Sequence, residues 1–396
     1  MYLRTPLQFL LGATSLTAAH PGLQPLRFAE DGTFQVSIFE DLHFGEAEDL
    51  EWGPQQDVNT TRVMNAILDG EQQQLVVLNG DLITGENTYR HNSSTYIDQI
   101  VAPLVQRGKY WASTYGNHDS DFNLSRHALF AREQHYANSL TANMVHTSDA
   151  GVTNYYLPVY SRDRQDRTPK LLIWFFDSRG GNQYQQQVNG TGVPIPNWVD
   201  PSVVEWFTST KQNLSRHYQN ASIPSLAFVH IPVSAMLAFQ QASAGVSPTQ
   251  EPGINDDNPL APQGDAQGQG SVSGTTFTYG GQDVPFMQAL LDTPGLMAVF
   301  SGHDHGDDWC MHWGSRLPGM NITGNGLELC FGRHTGYGGY GTWMRGSRQV
   351  LVTEETLKQR SVQTWIRLED GSESGRVVLN GTYGRDEYEP VEDKYS

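Results

Sequence analysis

The sequence predicts an α/β fold in which two β-sheets are flanked by helices, and three observations carry that expectation. Short apolar runs of strand length alternate with stretches of helical spacing from Thr33 to Phe300, as in proteins whose helices cover a sheet. Five of the runs halt at small groups of Asp, His or Asn. Beyond them the chain alternates in strand fashion, as in 362–368 and 375–379, and so completes a second sheet. With 396 residues and 38% hydrophobic content, there is ample material for a large core.

Taken in order, 33–39 alternates as a strand that ends at Glu40 and Asp41. Val58, Thr61, Met64, Ile67 and Leu68 recur at helical spacing and predict a helix over 57–68, which Asp69 and Gly70 stop. A fully apolar strand over 75–78 runs into Asn79-Gly80-Asp81. A helix over 96–105, interrupted at Pro103, and a strand over 110–114 then lead into Tyr115-Gly116-Asn117-His118-Asp119-Ser120-Asp121. There Gly116 is expected to allow a tight bend.

A helix over 126–139 and a strongly apolar strand over 171–176, ending at Asp177, come next. A helix with Val203, Trp206, Phe207 and Leu214 on related faces precedes the strand over 226–229 that delivers His230. A helix over 284–291 and a strand over 296–300 lead into Ser301-Gly302-His303-Asp304-His305. Between them, 240–282 is rich in Gln, Gly, Ser, Pro and Asp without periodicity, and reads as an insertion, either an active-site lid or a disordered loop. No repeat or linker divides the chain, so 20–396 reads as a single domain.

The formal charge of −18 argues against a protein that neutralises nucleic-acid phosphates, a task for clustered Lys and Arg. An acidic chain that handles phosphates needs bound cations. The start, with Arg4, an apolar region to Ala13 and the small residues Thr17-Ala18-Ala19, has the layout of a signal peptide over 1–19. It is too short to span a membrane; a frayed N-terminal element is the plain alternative. Asn59, Asn92, Asn123, Asn189, Asn213, Asn220, Asn321 and Asn380 each head an N-x-S/T triplet, which favours a secretory glycoprotein. The two cysteines, Cys310 and Cys330, read as one disulfide in an oxidising compartment.

The strand ends Asp41-Leu42-His43, Gly80-Asp81, Gly116-Asn117-His118, His230 and Gly302-His303-Asp304-His305 share one grammar. Strand ends on one edge of such a sheet converge on one crevice. The i, i+2 spacing of Asp41 with His43 and of His303 with His305 puts each pair on one side of an extended segment, able to grip one site or straddle two. Carboxylates, imidazoles and an amide oxygen together suit Mn, Fe or Zn. A lone histidine beside an apolar strand is ordinarily a packing or surface residue, and His91, His127, His135, His146, His217 and His312 are read so. Repetition at strand ends beside Gly or Asp makes the others ligand candidates.

In this order the motifs resemble the calcineurin-like metallophosphoesterases from about Phe34 to His305. The segment Phe331-Gly332-Arg333-His334-Thr335-Gly336-Tyr337-Gly338-Gly339-Tyr340-Gly341 resembles the fungal and plant branch related to purple acid phosphatases. The resemblance implies a four-layer fold of helices around two stacked sheets and a dinuclear metal centre. Asp41, His43, Asp81 and His305 would hold one metal, and Asp81, Asn117, His230 and His303 the other, with Asp81 bridging. It further implies hydrolysis of phosphate monoesters of small molecules or proteins by an activated water, acid-phosphatase-like, with His118 catalytic and Asp119 or Asp121 as its supporting carboxylate. Arg333 and His334 are candidate phosphate contacts. Purple enzymes carry a tyrosine where this chain has Thr84 and lack a histidine at His43, so no iron-tyrosinate colour is expected.

Other readings compete. A phosphodiesterase fits the same scaffold, as does a secreted binding module that keeps its metals for structure. Cys310 to Arg316 matches the C-x5-R spacing of cysteine-dependent phosphatases, but Cys330 offers that sulfur a disulfide partner. The Gly-rich run over 336–341 lacks the strand-loop-helix context of a phosphate loop and reads as a loop beside the substrate.

Overall fold

The computed structural model describes residues 24–219, 221–264, 271–273, 276–278, 280–392 and 395. The expected signal segment and Asn220 lie outside the described residues. The chain opens with β1 (Thr33–Phe39), α1 (Trp52–Gly70), β2 (Leu75–Asn79), α2 (Arg90–Gln106), β3 (Trp111–Thr114) and α3 (Arg126–Glu133). Next come β4 (Tyr155–Tyr160), β5 (Pro169–Phe176), β6 (Asn182–Val188), β7 (Thr191–Pro194), α4 (Pro201–His217), β8 (Ser225–Val229) and α5 (Ser234–Gln240). The short β9 (Ser271–Ser273) and β10 (Thr276–Thr278) precede α6 (Val284–Leu291), β11 (Leu296–Ser301), β12 (Cys310–Trp313) and β13 (Leu327–Phe331). The chain closes with β14 (Gly346–Thr353), β15 (Val362–Leu368) and β16 (Glu373–Leu379).

Two six-stranded sheets result, in the orders β16-β15-β14-β1-β2-β3 and β12-β13-β11-β8-β5-β4. β1, β2 and β3 run parallel, as do β5, β8, β11 and β13. Alternation dictates the stacking. Phe34, Val36 and Ile38 point between the sheets and meet the face that carries Ile173, Phe175, Phe228 and Phe300. Val76, Leu78 and Trp111 face outward under α1 and α2, which contribute Val63, Met64, Ile67, Ile97, Ile100 and Leu104. Across the molecule Trp174, Phe176 and Val229 lie under Val203, Phe207, Phe286 and Met287 of α4 and α6. Strands covered on both faces read as unbroken apolar runs. The observed layers are those the sequence predicts: helices, two sheets, helices.

The differences have local causes. α1 and α2 begin five and six residues before the expected starts, because their first turns, Trp52-Gly53-Pro54-Gln55 and Arg90-His91-Asn92-Ser93, lie ahead of the buried apolar stripe; Asn92 starts α2 by accepting the Tyr89 N–H at 2.8 Å. Pro103 lies inside α2 without ending it. α3 stops at Glu133, not at 139. β4, which the sequence reading passed over, contains Pro158 and occupies a sheet edge, where a missing N–H costs least.

Much of 240–282 is held by distant polar groups. Gln240 Nε2 donates to Asn255 Oδ1 at 2.7 Å, Ile254 N to Asp308 Oδ1 at 2.7 Å, and Ala261 N to Asp304 Oδ1 at 2.9 Å. These partners are invisible to local periodicity. Cys310 and Cys330 are bonded and stand directly opposite each other on β12 and β13, which ends the cysteine-nucleophile reading. Arg316 is instead spent on Met320 O and Asn321 Oδ1.

Glu133 is fully buried, and its carboxylate takes five donors: Trp111 Nε1 at 2.9 Å, Ser113 Oγ at 2.9 Å, Tyr115 OH at 2.7 Å, Thr141 Oγ1 at 2.8 Å and Ser139 Oγ at 3.4 Å. It fastens α3 and β3 just ahead of the loop that begins at Tyr115. Replacing Glu133 with Ala leaves those donors unsatisfied and should lower the unfolding free energy by about 2–4 kcal/mol in urea titrations. A change below about 0.5 kcal/mol would show that the cluster does not hold this corner.

Candidate metal centre

The parallel strands deliver all five motifs to one edge of the stacked sheets. Asp41 N donates to Gly80 O at 3.0 Å, His43 N to Asp81 O at 3.0 Å, and Gly302 N to His230 O at 2.9 Å, joining neighbouring strand ends. Two clusters form: Asp41, His43 and His305, all buried, and Asp81, His230 and the half-buried His303, with donor atoms in each within 4.8 Å of one another. They adjoin, since His230 Nε2 lies 2.9 Å from Asp81 Oδ2 and 3.8 Å from Asp41 Oδ1. His303 and His305 straddle the two.

The backbone route differs from the extended one expected. Asp41, His43, Asp81 and His303 have φ of 53°, 49°, 49° and 80°, left-handed values that cost non-glycine residues about 1–3 kcal/mol each and gather at functional sites. Gly116 is needed for space, not for a bend. A Cβ there would lie 2.2 Å from Asp81 Oδ1 and 2.5 Å from the His230 ring.

Three imidazoles are aimed by their second nitrogen: His230 Nδ1 lies 2.8 Å from Asn79 O, His43 Nδ1 3.3 Å from Thr84 Oγ1, and His305 Nδ1 3.2 Å from Tyr340 O. Thr84, the residue in the purple-type tyrosine position, thus supports His43. Burial pushes His43 and His303 down to about 3 and His305 well below the usual range, leaving them neutral, as ligands must be. Burial opposes ionisation of Asp81, but His230 and His118 beside it hold its carboxyl well below the usual range. Asn117 Oδ1 is buried without a partner, and His230 Nε2, though close to Asp81, is not aligned for a hydrogen bond. Orphaned oxygen and nitrogen beside neutral imidazoles and buried carboxylates fit a pair of cations.

His118 is not a member of either cluster. Its N–H donates to Asp81 Oδ1 at 2.8 Å, its ring stands 4.9 Å from that of His43, and its Nδ1 lies 2.9 Å from Glu86 Oε2. Glu86, five residues after Asp81, is therefore the partner sought in Asp119 or Asp121; a carboxylate on the same loop as a ligand was the only available signal. Burial lowers the His118 pKa, yet Asp81 and Glu86 outweigh it and raise it to about 9. Asp119 instead clamps the loop, accepting N–H groups from Leu82, Ile83 and Gly116 at 2.9, 3.1 and 2.8 Å.

Arg333 and His334 do not contact the crevice as expected. Arg333 is buried, pairing with Asp308 Oδ2 at 2.8 Å and donating twice to Met344 O. His334 is buried behind His305, ring centres 3.9 Å apart. The Gly-rich run does border the site: a Cβ on Gly339 would lie 2.4 Å from His305 Cε1 and 3.1 Å from His43 Cδ2. Tyr340 stacks on His305 at 4.1 Å, and its hydroxyl donates to Asp257 of the insertion. Glu40, also unforeseen, is buried under Gly302 and accepts from Asn79 Nδ2 at 3.0 Å.

Carboxylates, imidazoles and an amide oxygen pooled where strands of both sheets end suit a pair of metal ions. The chain belongs to the calcineurin-like phosphoesterase family, whose model matches residues 39–307. It is 26% identical to "Probable inactive purple acid phosphatase 14" of Arabidopsis thaliana, over 92% of this chain and 88% of that one. It is 27% identical to "Phosphatase DCR2" of Saccharomyces cerevisiae, over 88% of this chain and 56% of the yeast protein. Its fold matches a dimetal phosphatase from Danio rerio, with a TM-score of 0.53, 12% identity, and coverage of 88% of this chain and 98% of that one. Among the described residues, no helix is long and apolar enough to cross a membrane.

Gly339→Ala should drive a methyl group into His305 and His43. The expected result is a fall in bound cation by elemental analysis with an unchanged far-UV circular dichroism spectrum; full cation content would show that the loop yields freely.

Proposed function

We propose that this protein is a secreted dimetal phosphoesterase that hydrolyses phosphate monoesters. The observation that carries the proposal is the meeting of Asp41, His43, His305 with Asp81, His230, His303 beside the orphaned Asn117 oxygen. Asp41, His43, Asp81 and His305 would hold one cation of Fe, Mn or Zn, and Asp81, Asn117, His230 and His303 the second. When bound, such a pair lowers the pKa of a water and offsets charge on phosphoryl oxygens. With Thr84 in place of tyrosine, no phenolate is present to give a purple band.

His118 supplies what the ligands do not. With Nδ1 held by Glu86, Nε2 is the nitrogen left to donate a proton to the departing oxygen. The neighbouring carboxylates favour the protonated ring this role requires. Its place beside the clusters, with only its backbone N–H on Asp81, lets it move a proton without surrendering a ligand. The signal-like start, the N-x-S/T triplets and the buried disulfide support secretion. Asn189, Asn213 and Asn321 are exposed, as glycan attachment requires.

The word "inactive" in the name of the Arabidopsis relative favours a second reading, a non-catalytic binding module. Elemental analysis of purified protein is expected to give two metal ions per chain; zero or one overturns the dimetal reading. p-Nitrophenyl phosphate should be turned over faster than bis(p-nitrophenyl) phosphate. A tenfold preference for the diester would make the protein a phosphodiesterase, and two ions without turnover of either would favour the binding module.

His118→Asn should keep both ions and lower kcat by about 10²–10⁴, whereas Asn117→Ala should lose one ion. Glu86→Gln should keep the ions and cost less in kcat than His118→Asn. An undiminished kcat in the His118 variant would remove it from the chemistry.

A further inference from the structure

One residue of the Gly-rich run, Tyr340, holds His305 in three ways. Its ring lies nearly parallel to the imidazole, with 8° between the planes and 4.1 Å between the centres. Its carbonyl oxygen faces His305 Nδ1 at 3.2 Å, and its hydroxyl accepts the His305 N–H at 3.1 Å. The plane of the imidazole, its second nitrogen and its main chain are all fixed by the same neighbour.

This leaves His305 Nε2 as the nitrogen for a cation. It lies 3.6 Å from Asp41 Oδ1 and 3.2 Å from His43 Nε2, the other members of its cluster. His303, two residues earlier, belongs to the second cluster and packs edge-on against His230 instead, with 5.5 Å between ring centres. Tyr340 therefore bears on one cluster and not on the other.

Burial does not keep Tyr340 there, since it is 49% exposed and is flanked by Gly338, Gly339 and Gly341, which give the loop no side chains to wedge it. The restraint comes from the 240–282 segment. The Tyr340 hydroxyl donates to Asp257 Oδ2, and the same oxygen accepts the Gly306 N–H at 2.8 Å. One carboxylate oxygen so joins the residue that follows His305 to the hydroxyl that accepts from it. Asp256 secures the join: its N–H donates to Gly306 O at 2.9 Å, and its carboxylate accepts the Trp343 indole N–H. A hydroxyl that donates to a carboxylate is a better acceptor for doing so, and the bonds from His305 through Tyr340 to Asp257 reinforce one another.

We infer that Tyr340 and Asp257 are positioning residues for His305, and that the 240–282 segment through them sets the affinity of one cation of the pair, the one assigned to Asp41, His43, Asp81 and His305. The inference rests on the dimetal reading and gives that segment a part in the metal centre: it braces one ligand from outside the phosphoesterase motifs. Support of this kind behind a metal-binding histidine is worth about 10–100-fold in affinity.

Competition for Zn²⁺ between the metal-free full chain and a chelating indicator reads both sites without any turnover. The native chain should take up two ions. Tyr340→Phe keeps the stacked ring and the carbonyl but loses the hydroxyl, and should weaken one ion about tenfold while the other keeps its Kd. Asp257→Asn should weaken the same ion roughly three- to tenfold. The double variant should be no weaker than Tyr340→Phe alone, because Asp257 acts through the tyrosine. Residues that merely support the fold would lower the melting temperature and loosen both ions alike, or neither; either result overturns the inference. Additive effects of the two substitutions overturn the path from Asp257 through Tyr340. A native chain that binds fewer than two ions refutes the dimetal reading itself, a failure seen before any variant is made.

Discussion

Asp81 is the knot at which the site's strand ends are tied. Its carbonyl accepts the N–H groups of Leu42 and His43 at 2.8 and 3.0 Å, which fixes the chain leaving β1. One carboxylate oxygen accepts the His118 N–H and so fixes the chain leaving β3. The other lies against His230, the residue that follows β8. One buried side chain in a left-handed backbone thereby sets the relative positions of both sheets' contributions. Removing the carboxylate would unpair the His118 amide and take away the charge beside the His230 imidazole, and groups so stranded in a low-dielectric interior are costly.

Such a strained edge persists only because its surroundings over-determine it. Asp119 pins the turn after Asp81 through two amides, and Arg126 reaches Gly116 O and Asp177 from α3. Asp177 in turn accepts Val152 N at 2.8 Å. Glu133 locks the start of the same loop from below. The residues of the two clusters rest on this second layer of charged and hydroxyl groups, and its members lie on strands, helix and loops alike.

The layered fold and the clustering of motifs were legible because both follow from periodicity and from where strands stop. The strand at 171–176 and the motif at 301–305 announce themselves in a few residues. Glu86 was not legible, since nothing in Thr84-Gly85-Glu86 distinguishes it from an ordinary loop carboxylate; the two loops are brought together by the Gly85 N–H bond to His118 O at 2.9 Å and by the Leu82 and Ile83 N–H bonds to Asp119 Oδ1. Arg333 was misread for a related reason. A cation beside a Gly-rich loop has the look of an anion contact until Asp308, twenty-five positions earlier, is seen beside it. The order within 241–264 escaped because it comes from carboxylates at 304 and 308 and not from any pattern of its own.

The two sides of the crevice are made of different material. Over His43 and His305 the wall is glycine backbone, with no room for even a methyl group at Gly339. On the loop that follows His118 stands the β6–β7 hairpin, docked by Gln185 N on Phe122 O at 2.9 Å and Asn182 N on Ser120 O at 3.0 Å, with β6 exposed over its second half. Room for change is divided accordingly: the glycine side meets His43 and His305 with close backbone at Gly339 and with the stacked ring of Tyr340, whereas the hairpin carries exposed side chains that can be exchanged without disturbing either cluster.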